Sequence, residues 1–278
     1  MISNFLRQSV SLIPWQWRTL IKDIPVVSVL QRWLIKTFLD QQKFIYRINA
    51  GPASGLNYPV CLPEDKLIWT GTYEIDFSQT LAKSVKPGDI CYDIGGFRGF
   101  FSGVLALSGA KKVYIFEPFP RNCQQIQAVI DANPQMPALK LLSVAIGEQK
   151  GAAEFLVMPE ASMGKLSSSS FQADVQAQEK IVVPVETLDS LVKSGQLEKP
   201  NLIKIDVEGA EISVLRGSEQ TLREYQPQLF IEIHSRSLAK DCFTFLQKLN
   251  YSITVLETGH LPDFSSEPEV CHFLAKVI

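Results

Sequence analysis

The segment Asp93–Gly99 has a residue spacing that could do chemistry, an acid and two glycines in the order Asp-x-Gly-x-x-x-Gly. It follows a short apolar run and precedes an apolar helical pattern, which predicts a strand-to-helix turn. Gly95 can adopt backbone angles closed to other residues, and its missing Cβ lets a ligand lie against the main chain. The spacing is not the Gly-x-Gly-x-x-Gly of pyrophosphate-binding turns. The Asp93 carboxylate favours a ligand with an ammonium group; an ordinary tight turn is the alternative.

A second acid, Glu117, ends the next predicted strand, 24 residues after Asp93. An acidic side chain at this point can accept two hydrogen bonds from a ribose diol, as in nucleoside-binding α/β folds. Pro118 follows in the first turn of a predicted helix, where a surface acid stabilised by the helix dipole is the alternative interpretation. The two motifs together predict a ligand that contains a nucleoside.

A third group of candidates lies in Lys204–Glu211, where Asp206 ends a buried apolar strand. Because side chains alternate along a strand, Lys204 and Asp206 share a face, and a buried lysine needs a partner. Glu232 and His234 likewise share a face of the predicted neighbouring strand. We therefore expect Asp206, Glu232 and His234 to converge beside the ligand.

These residues require a sheet that places them along one edge, and the chain from about residue 89 has that pattern. Short apolar strands alternate with amphipathic helices, which predicts a mostly parallel α/β sheet covered on both faces. Right-handed crossovers align the carboxyl ends of such strands, and ligands bind there. The predicted strands are Asp89–Ile94, Val113–Phe116, Leu139–Ala145, Leu202–Ile205 and Leu229–Ile233, with further candidates at Ala153–Val157, Ile181–Val185, Tyr251–Leu256 and Cys271–Val277. The predicted helices are Phe100–Leu107, Arg121–Ala132, Ala210–Leu215 and Leu238–Leu249.

The composition is that of an ordinary globular protein, with 278 residues of which 46% are hydrophobic and 20% are charged. Five scattered cysteines without a Cys-x-x-Cys pair argue against a disulfide framework or a structural zinc site, and favour a reducing, cytoplasmic compartment. The net charge of −2 gives no general attraction to nucleic acid. It conceals an asymmetry, because residues 1–48 carry +5 and the remainder carries −7.

Residues 1–50 are predicted to form a helical extension ahead of a domain at 51–278. Apolar side chains recur at helical spacing in Val27, Leu30, Leu34 and Phe38, and prolines divide the segment into short helices. Neither an apolar run of membrane-spanning length nor a signal-peptide cleavage pattern is present. The basic, tryptophan-rich composition suits peripheral contact with a membrane surface, where it would deliver the following domain to lipid-linked glycans. Packing on the domain or on a homodimer partner is the alternative that we favour.

Taken together, the motifs resemble the FkbM family of S-adenosylmethionine-dependent methyltransferases. The matching segments, in the family's order, are Gly71–Glu74, Pro87–Asp89, Asp93–Gly99, Phe116–Asn122, Ala145–Gly147, Thr187–Asp189, Ile203–Glu211 and Ile231–His234. The resemblance implies S-adenosylmethionine as the cofactor and a seven-stranded, Rossmann-like class I methyltransferase fold. It also implies O-methylation of a hydroxyl on a sugar, glycan or natural product. The charge of −7 on the domain argues against a nucleic-acid partner.

The resemblance also implies where the cofactor is bound. Its contacts would be Glu74, Asp93, Gly95, Gly99, Glu117, Pro118, Asn122, Ala145 and Asp206. The sequence departs from the family at residues 96–98, where Gly-Phe-Arg replaces the usual Ala-Asn-x. This removes one contact on the methionine side and makes Arg98 a candidate partner for the cofactor carboxylate. A homologue that binds the cofactor without transferring a methyl group is kept as an alternative.

Methyl transfer to a hydroxyl requires alignment of the nucleophile and removal of its proton. We favour His234 as the general base, because its ordinary pKa lies near working pH, with Asp206 and Glu232 positioning it. A bound divalent ion is the alternative, since one imidazole and several hard oxygens are present. The donors for that ion would be Asp206, Glu208, Glu211, Glu232 and His234, of which Asp206, Glu232 and His234 form the core.

Three further features receive no catalytic role from the sequence. His260 and His272 lie in a predicted loop and strand without acidic motifs, so surface or packing roles are expected. The polar stretch that contains Ser167–Ser170 is predicted to be a loop. It either closes over the substrate or serves only as a connection.

Overall fold

The computed structural model describes residues 13–21, 24, 29, 33, 37, 43–136, 138–158, 164–167, 169, 176–264 and 270–277. The strands are β1 (Lys43–Arg47), β2 (Asn57–Cys61), β3 (Ile90–Ile94), β4 (Lys112–Phe116), β5 (Ala138–Leu142), β6 (Ala145–Ile146), β7 (Gly151–Val157), β8 (Gly164–Leu166), β9 (Glu179–Glu186), β10 (Leu202–Ile205), β11 (Gln228–Ile233), β12 (Tyr251–Val255) and β13 (Cys271–Val277). The helices are α1 (Trp15–Ile21), α2 (Lys66–Thr70), α3 (Ile75–Ser84), α4 (Phe100–Leu107), α5 (Pro120–Ala132), α6 (Leu188–Lys193), α7 (Glu211–Arg216), α8 (Glu219–Tyr225) and α9 (Arg236–Gln247).

Seven strands form the central sheet in the order β5-β4-β3-β10-β11-β13-β12. Neighbours pair in parallel except at β13, which is antiparallel to both β11 and β12. The predicted α/β sheet is therefore confirmed. The chain builds one half of the sheet outward from β3 and the other half outward from β10. The carboxyl ends of these two central strands are a topological switch point, where open sheets bind ligands.

Apolar cores cover both faces of this sheet, as the continuous apolar strands predict. Every residue of β3 and β10 is buried. Tyr92 and Ile94 pack on one face of the sheet, and Cys91 packs on the other. Each fully buried large apolar side chain contributes about 1.5–3 kcal/mol to stability. None of the five cysteines, all of which the structure describes, forms a disulfide, and all but Cys61 are buried.

A second, four-stranded sheet stands beside the first in the order β6-β9-β7-β8. The sequence predicted β7 and β9 but did not predict that they form a separate sheet. The predicted strand Leu139–Ala145 in fact ends at Leu142, where Val144 N donates to Leu142 O at 2.9 Å and the chain turns into β6. Strand β8 lies inside the polar stretch that was predicted to be a loop. The segment forms a strand because it pairs with the apolar end of β7.

The amino-terminal segment differs from the predicted helical extension. Residues Lys43–Arg47 form strand β1, which pairs antiparallel with β2. Phe44 and Tyr46 turn inward, and the Tyr46 ring meets the edge of Trp69 at 6.4 Å. A domain boundary at residue 50 would cut this hairpin. The periodic residues Val27, Leu30, Leu34 and Phe38 lie outside the described residues.

Helix α1 packs on the domain through one arginine. Arg18 is 7% exposed, and it donates to Asn49 Oδ1 at 2.9 Å and to Ile13 O at 2.7 Å. Trp17 and Leu20 on the same helix are exposed. Contact of this segment with a membrane surface stays a prediction that rests on such exposed side chains. Among the helices of the described residues, none has both the length and the apolar character needed to span a bilayer.

Candidate active site

A cavity of about 220 Å³ opens at the carboxyl ends of β3, β4, β10 and β11. Part of its lining is apolar, including Ile94, Phe116, Val144 and Ile146. Pro118, Asn122 and Ala145, all predicted to contact a cofactor, also line it. Five of the lining residues are acids: Glu74, Glu117, Asp206, Glu208 and Glu232. Apolar walls with a few convergent polar groups are typical of small-molecule binding sites.

The glycine turn is required by the packing of β3 against β10. Gly95 has φ +79°, and a Cβ built on it would lie 1.7 Å from Asp206 O. Its N–H and that of Gly96 donate to Phe116 O at 2.9 and 3.0 Å. Gly95 lines the cavity, whereas Gly99, with φ +82°, begins α4 away from the lining residues. Gly99 therefore shapes the turn, and its contact with a cofactor stays a prediction.

Asp93 lies behind the turn and does not line the cavity. It is fully buried, accepts a hydrogen bond from Ser102 Oγ at 2.5 Å and pairs with Lys204 Nζ at 3.2 Å. Lys204 also donates to Gly95 O at 2.9 Å and to Asp206 Oδ2 at 3.3 Å. The position of Asp93 does not support its predicted contact with a ligand ammonium group. Its carboxylate instead holds the lysine that ties the ends of β3 and β10 together.

Lys204 is charged although it is 2% exposed. Burial acts to lower the pKa of its ammonium group, but the carboxylates of Asp93 and Asp206 raise it above its usual value. The predicted pairing of Lys204 with Asp206 on one face of the sheet is confirmed.

Glu117 is held rigidly in the cavity wall. Its Oε2 accepts a hydrogen bond from Phe97 N at 2.8 Å, and its Oε1 accepts one from Phe119 N at 2.9 Å. The side chain is buried, and burial raises its pKa to about 7 against the opposing effect of these hydrogen bonds. Each carboxylate oxygen can still accept a hydrogen bond, so Glu117 can receive the two hydroxyls of a diol.

The departure at residues 96–98 has a structural explanation. Phe97 has φ +50° and lines the cavity, and its N–H is the donor to Glu117. The guanidinium of Arg98 forms two hydrogen bonds with Asp65, at 2.7 and 3.1 Å. Asp65 is 2% exposed. Arg98 is therefore engaged in a buried ion pair, and its predicted role as a partner for a cofactor carboxylate is not supported.

The acids of β10 and β11 converge on His234, as predicted. The ring is 4% exposed, and its Nδ1 lies 2.7 Å from Glu211 Oε1. Its Nε2 lies 3.4 Å from a Glu208 oxygen, 3.7 Å from a Glu232 oxygen and 3.9 Å from an Asp206 oxygen. Strand register produces this arrangement, because β10 and β11 are parallel neighbours that end together.

The charges around His234 do not support its predicted role as a base. Burial acts to lower its pKa, but the hydrogen bond with Glu211 and the charges of Asp206 and Glu208 raise it to about 9. The imidazole is therefore protonated at neutral pH and has no lone pair with which to accept a proton. His234 is buried, and its contacts hold the surrounding carboxylates in place.

Sequence reasoning missed a second histidine of the site, His272. Register pairs it with Glu232 across β11 and β13, and its Nε2 lies 3.6 Å from Glu232 Oε2. Its Nδ1 bonds to Glu257, and its ring packs 4.6 Å from that of Phe77. Burial acts to lower the pKa of His272, but Glu232 and Glu257 raise it to about 10. Only the antiparallel pairing of β13 reveals this contact, and no local motif carries it.

The two histidines shift the pKa of Glu232 in the opposite direction from that of Glu74. Burial acts to raise the pKa of Glu232, but His272 and His234 lower it below its usual value. Burial and the charges of Glu232 and Asp206 raise the pKa of Glu74. Glu232 therefore ionises more readily than Glu74.

Two groups of donors meet the geometry of a metal site. They are Asp206 with Glu232 and His234, and Glu74 with Glu232 and His272, each within 4.8 Å. The first is the predicted alternative. Both histidines carry raised pKa values, and a protonated imidazole does not bind a metal ion. Metal binding at this cluster stays a prediction.

We expect the free energy of unfolding to fall as pH rises toward 10. The folded pKa values of His234 and His272 are about 9 and about 10, against an ordinary value of 6.5. Because folding raises both pKa values, the stabilisation is complete below about pH 6.5 and is lost as pH rises through 9 to 10. Urea unfolding across this range checks the expectation. His272→Gln should reduce the fall, and equal falls in both proteins would contradict the ion pairing of His272.

The sheet order, the single antiparallel strand and the acid at the end of the second strand define the class I methyltransferase fold. Residues 93–253 match the family model described as the methyltransferase FkbM domain, which covers more than half of the chain. The chain belongs to this family, whose methyl donor is S-adenosylmethionine.

Individual relatives are more distant. A hexuronic acid methyltransferase, AglP of Haloferax volcanii, is 25% identical over 191 residues, which are 69% of this chain and 75% of that protein. A methyltransferase FkbM structure from Methylobacillus flagellatus KT superposes with a TM-score of 0.48 at 17% identity, covering 73% of this chain and 59% of that one. An rRNA methylase from Streptococcus thermophilus gives a TM-score of 0.44 at 15% identity, covering 74% of this chain and 96% of that one.

Proposed function

We propose that this protein is an S-adenosylmethionine-dependent O-methyltransferase whose acceptor is a hydroxyl of a sugar, with a hexuronic acid as the first candidate. The single observation that carries the proposal is the cavity of this FkbM-family chain. The cavity combines Glu117, whose carboxylate can accept hydrogen bonds from a diol, with a group of acids at the neighbouring strand ends. The name of the Haloferax relative supports the choice of acceptor class.

The residues of the cavity fit the cofactor. Glu117 would hold the ribose hydroxyls, since its carboxylate is buried in the cavity wall with acceptor capacity left. Ile94, Phe116, Val144 and Ile146 offer the apolar surface that an adenine ring requires. When bound, S-adenosylmethionine supplies an electrophilic methyl group on a sulfonium cation.

The acids of the cavity suit both the positive charge of that cofactor and a polyhydroxylated acceptor. Asp206 and Glu232 line the cavity, and Lys204 and His234 keep them in place. Carboxylates accept hydrogen bonds from sugar hydroxyls, so they can hold an acceptor oxygen in line with a methyl group. The second sheet covers this region with Phe155 and Leu166, which exclude water from part of the cavity.

The function is tested by two measurements on the full chain. We expect S-adenosylhomocysteine to bind in isothermal titration calorimetry, and S-adenosylmethionine to be converted to S-adenosylhomocysteine in the presence of an acceptor. The acceptors are p-nitrophenyl glucuronide and p-nitrophenyl galacturonide, with p-nitrophenyl glucoside as the neutral counterpart. Mass spectrometry of the acceptor identifies an added methyl group, and alkaline resistance separates a methyl ether from a methyl ester.

Each outcome of this assay has a distinct meaning. Failure to bind S-adenosylhomocysteine would contradict the cofactor assignment. Binding without methylation of any of these sugars would favour the alternative of a homologue without transfer activity. Repeating the assay after chelation of divalent ions tests the metal alternative, because persistent activity would discard it.

A further inference from the structure

We propose that the buried ion pair of Asp65 with Arg98 positions the wall of the cavity that would bind a ribose. The pair does so by holding Phe97 in the conformation in which its N–H fixes Glu117. Neither Asp65 nor Arg98 is among the residues that line the cavity, so both act through their neighbours as positioning residues. This inference rests on the proposed function and deepens it.

Phe97 has a backbone conformation that needs an external restraint. Its φ is +50°, a region that bulky residues seldom adopt and that persists only where the surrounding structure holds it. Gly99 N donates to Gly96 O at 2.8 Å, so Phe97 is the first central residue of a turn, a place where positive φ is ordinarily supplied by glycine. Phe97 lines the cavity, and its N–H donates to Glu117 Oε2 at 2.8 Å. The orientation of the Glu117 carboxylate therefore depends on this turn.

Arg98, the second central residue of the turn, is held at both its side chain and its backbone. Its Nη1 donates to Asp65 Oδ1 at 2.7 Å, and its Nη2 donates to Asp65 Oδ2 at 3.1 Å. Two parallel hydrogen bonds to one carboxylate fix direction as well as distance. The Arg98 carbonyl accepts a hydrogen bond from the hydroxyl of the fully buried Tyr58 at 3.2 Å. The turn therefore cannot rotate without breaking contacts to two buried side chains.

Asp65 is itself fixed to the frame of the domain. It is 2% exposed, and its Oδ2 also accepts a hydrogen bond from Cys61 N at 2.7 Å. Cys61 ends β2, and that strand is bound to α5 because Gln125 Nε2 donates to Pro59 O at 2.7 Å. Helix α5 begins just after Glu117 in the chain. A closed cycle of contacts thus runs from Glu117 through the turn and the ion pair to β2, and returns through α5.

Geometry distinguishes this ion pair from one that serves only stability. A buried ion pair contributes little net stability relative to apolar residues of similar volume, because both charges lose their water. Two parallel hydrogen bonds, by contrast, define an orientation that apolar packing does not define. We therefore expect the pair to matter more for the position of the turn than for the free energy of unfolding.

The test separates position from stability with the double variant Asp65→Asn with Arg98→Met. Each single substitution leaves a buried charge unpaired and should lower the free energy of unfolding, whereas the double variant leaves none and should recover most of it. The Kd of S-adenosylhomocysteine in titration calorimetry should nevertheless rise about 10-fold in the double variant. The matched control, Glu219→Gln with Arg223→Met, removes a surface pair of 2.8 Å and should leave that Kd unchanged.

A second background tests whether the pair acts through Phe97. Asparagine adopts positive φ more readily than phenylalanine, so Phe97→Asn reduces the need for an external restraint. In that background, Asp65→Asn with Arg98→Met should raise the Kd by a smaller factor than it does beside Phe97.

Hydrogen exchange of the ligand-free protein gives a readout that does not depend on the cofactor. The amide of Phe97, which is bonded to Glu117, should exchange faster in the double variant because the turn is no longer held in place. The amide of Tyr92 within β3 should keep its protection in both proteins.

Three results would overturn the proposal. Recovery of the Kd together with stability in the double variant would show that the pair serves the fold alone. Equal factors beside Phe97 and beside Phe97→Asn would show that the pair acts by another route, and unchanged exchange at Phe97 would reject the restraint itself. Failure of the unmodified protein to bind S-adenosylhomocysteine would reject the proposed function, and with it the effect on affinity, even where the exchange of the Phe97 amide behaves as expected.

Discussion

Lys204→Met is expected to destabilise the protein by about 3–5 kcal/mol, because it leaves a buried charge without its partner. Lys204 is 2% exposed and contacts Asp93 at 3.2 Å and Asp206 at 3.3 Å. The fully buried Asp93 would retain only the hydrogen bond from Ser102. The loss is a large share of the stability of a typical domain. Urea unfolding followed by circular dichroism measures it.

The control for this variant is the same substitution at an exposed lysine. Lys180→Met removes an ammonium group that is 64% exposed and pairs with Glu154, so a change below about 1 kcal/mol is expected. The double variant Lys204→Met with Asp93→Asn should recover part of the lost stability, since no unpaired charge then remains at Asp93. Equal stability of Lys204→Met and Lys180→Met would show that the ion pair is not structural.

Glu117→Gln is expected to weaken binding of S-adenosylhomocysteine by about 10²-fold. Two hydroxyls of a ribose would donate to this carboxylate, and a hydrogen bond to a charged group contributes about 1.5–3 kcal/mol. The amide keeps one acceptor oxygen and turns its NH₂ group toward a backbone N–H that now donates to Glu117. Titration calorimetry at about pH 8 compares the variant with the unmodified protein.

The pH dependence of that affinity is a second readout. The pKa of Glu117 is about 7, so the ionised form that accepts both hydroxyls is lost as pH falls through this value. Affinity should therefore decrease on acidification in the unmodified protein and change less in Glu117→Gln. The exposed Glu148→Gln serves as the matched control. Unchanged affinity in Glu117→Gln, with the fold intact, would remove Glu117 from the ribose site.

The sequence predicts the strands and helices of the central sheet because apolar runs and helical periodicity are patterns of neighbouring residues. Continuous apolar runs become strands buried on both faces, as in β3 and β10. Glu117 is found by its distance from the glycine turn, and Asp206, Glu232 and His234 are found by alternation along two strands. The fully buried Lys204 could be matched with Asp206 because an isolated buried ammonium group is costly.

The tertiary structure decides which of these residues face the cavity and which charges they carry. The packing of α4 against the sheet turns Asp93 to Ser102 and Lys204, and the segment before α2 captures Arg98 through Asp65. These contacts join residues that are far apart in the chain, so no local pattern contains them. They decide which charged groups are paired as well as where the side chains lie.

The two histidines also have positions or pKa values that the sequence does not predict. Sequence places His234 with Asp206 and Glu232 but assigns it an ordinary pKa, whereas in the folded site Glu211 lies 2.7 Å from its Nδ1 and the surrounding acids raise that pKa to about 9. His272 enters the site only because β13 runs antiparallel to β11. A pKa depends on every charge within a few ångströms and on the loss of water, and both are properties of the packed chain. The sequence alone therefore determines the sheet and most of its acids, and the tertiary structure determines which of those acids line the cavity and which ion pairs they form.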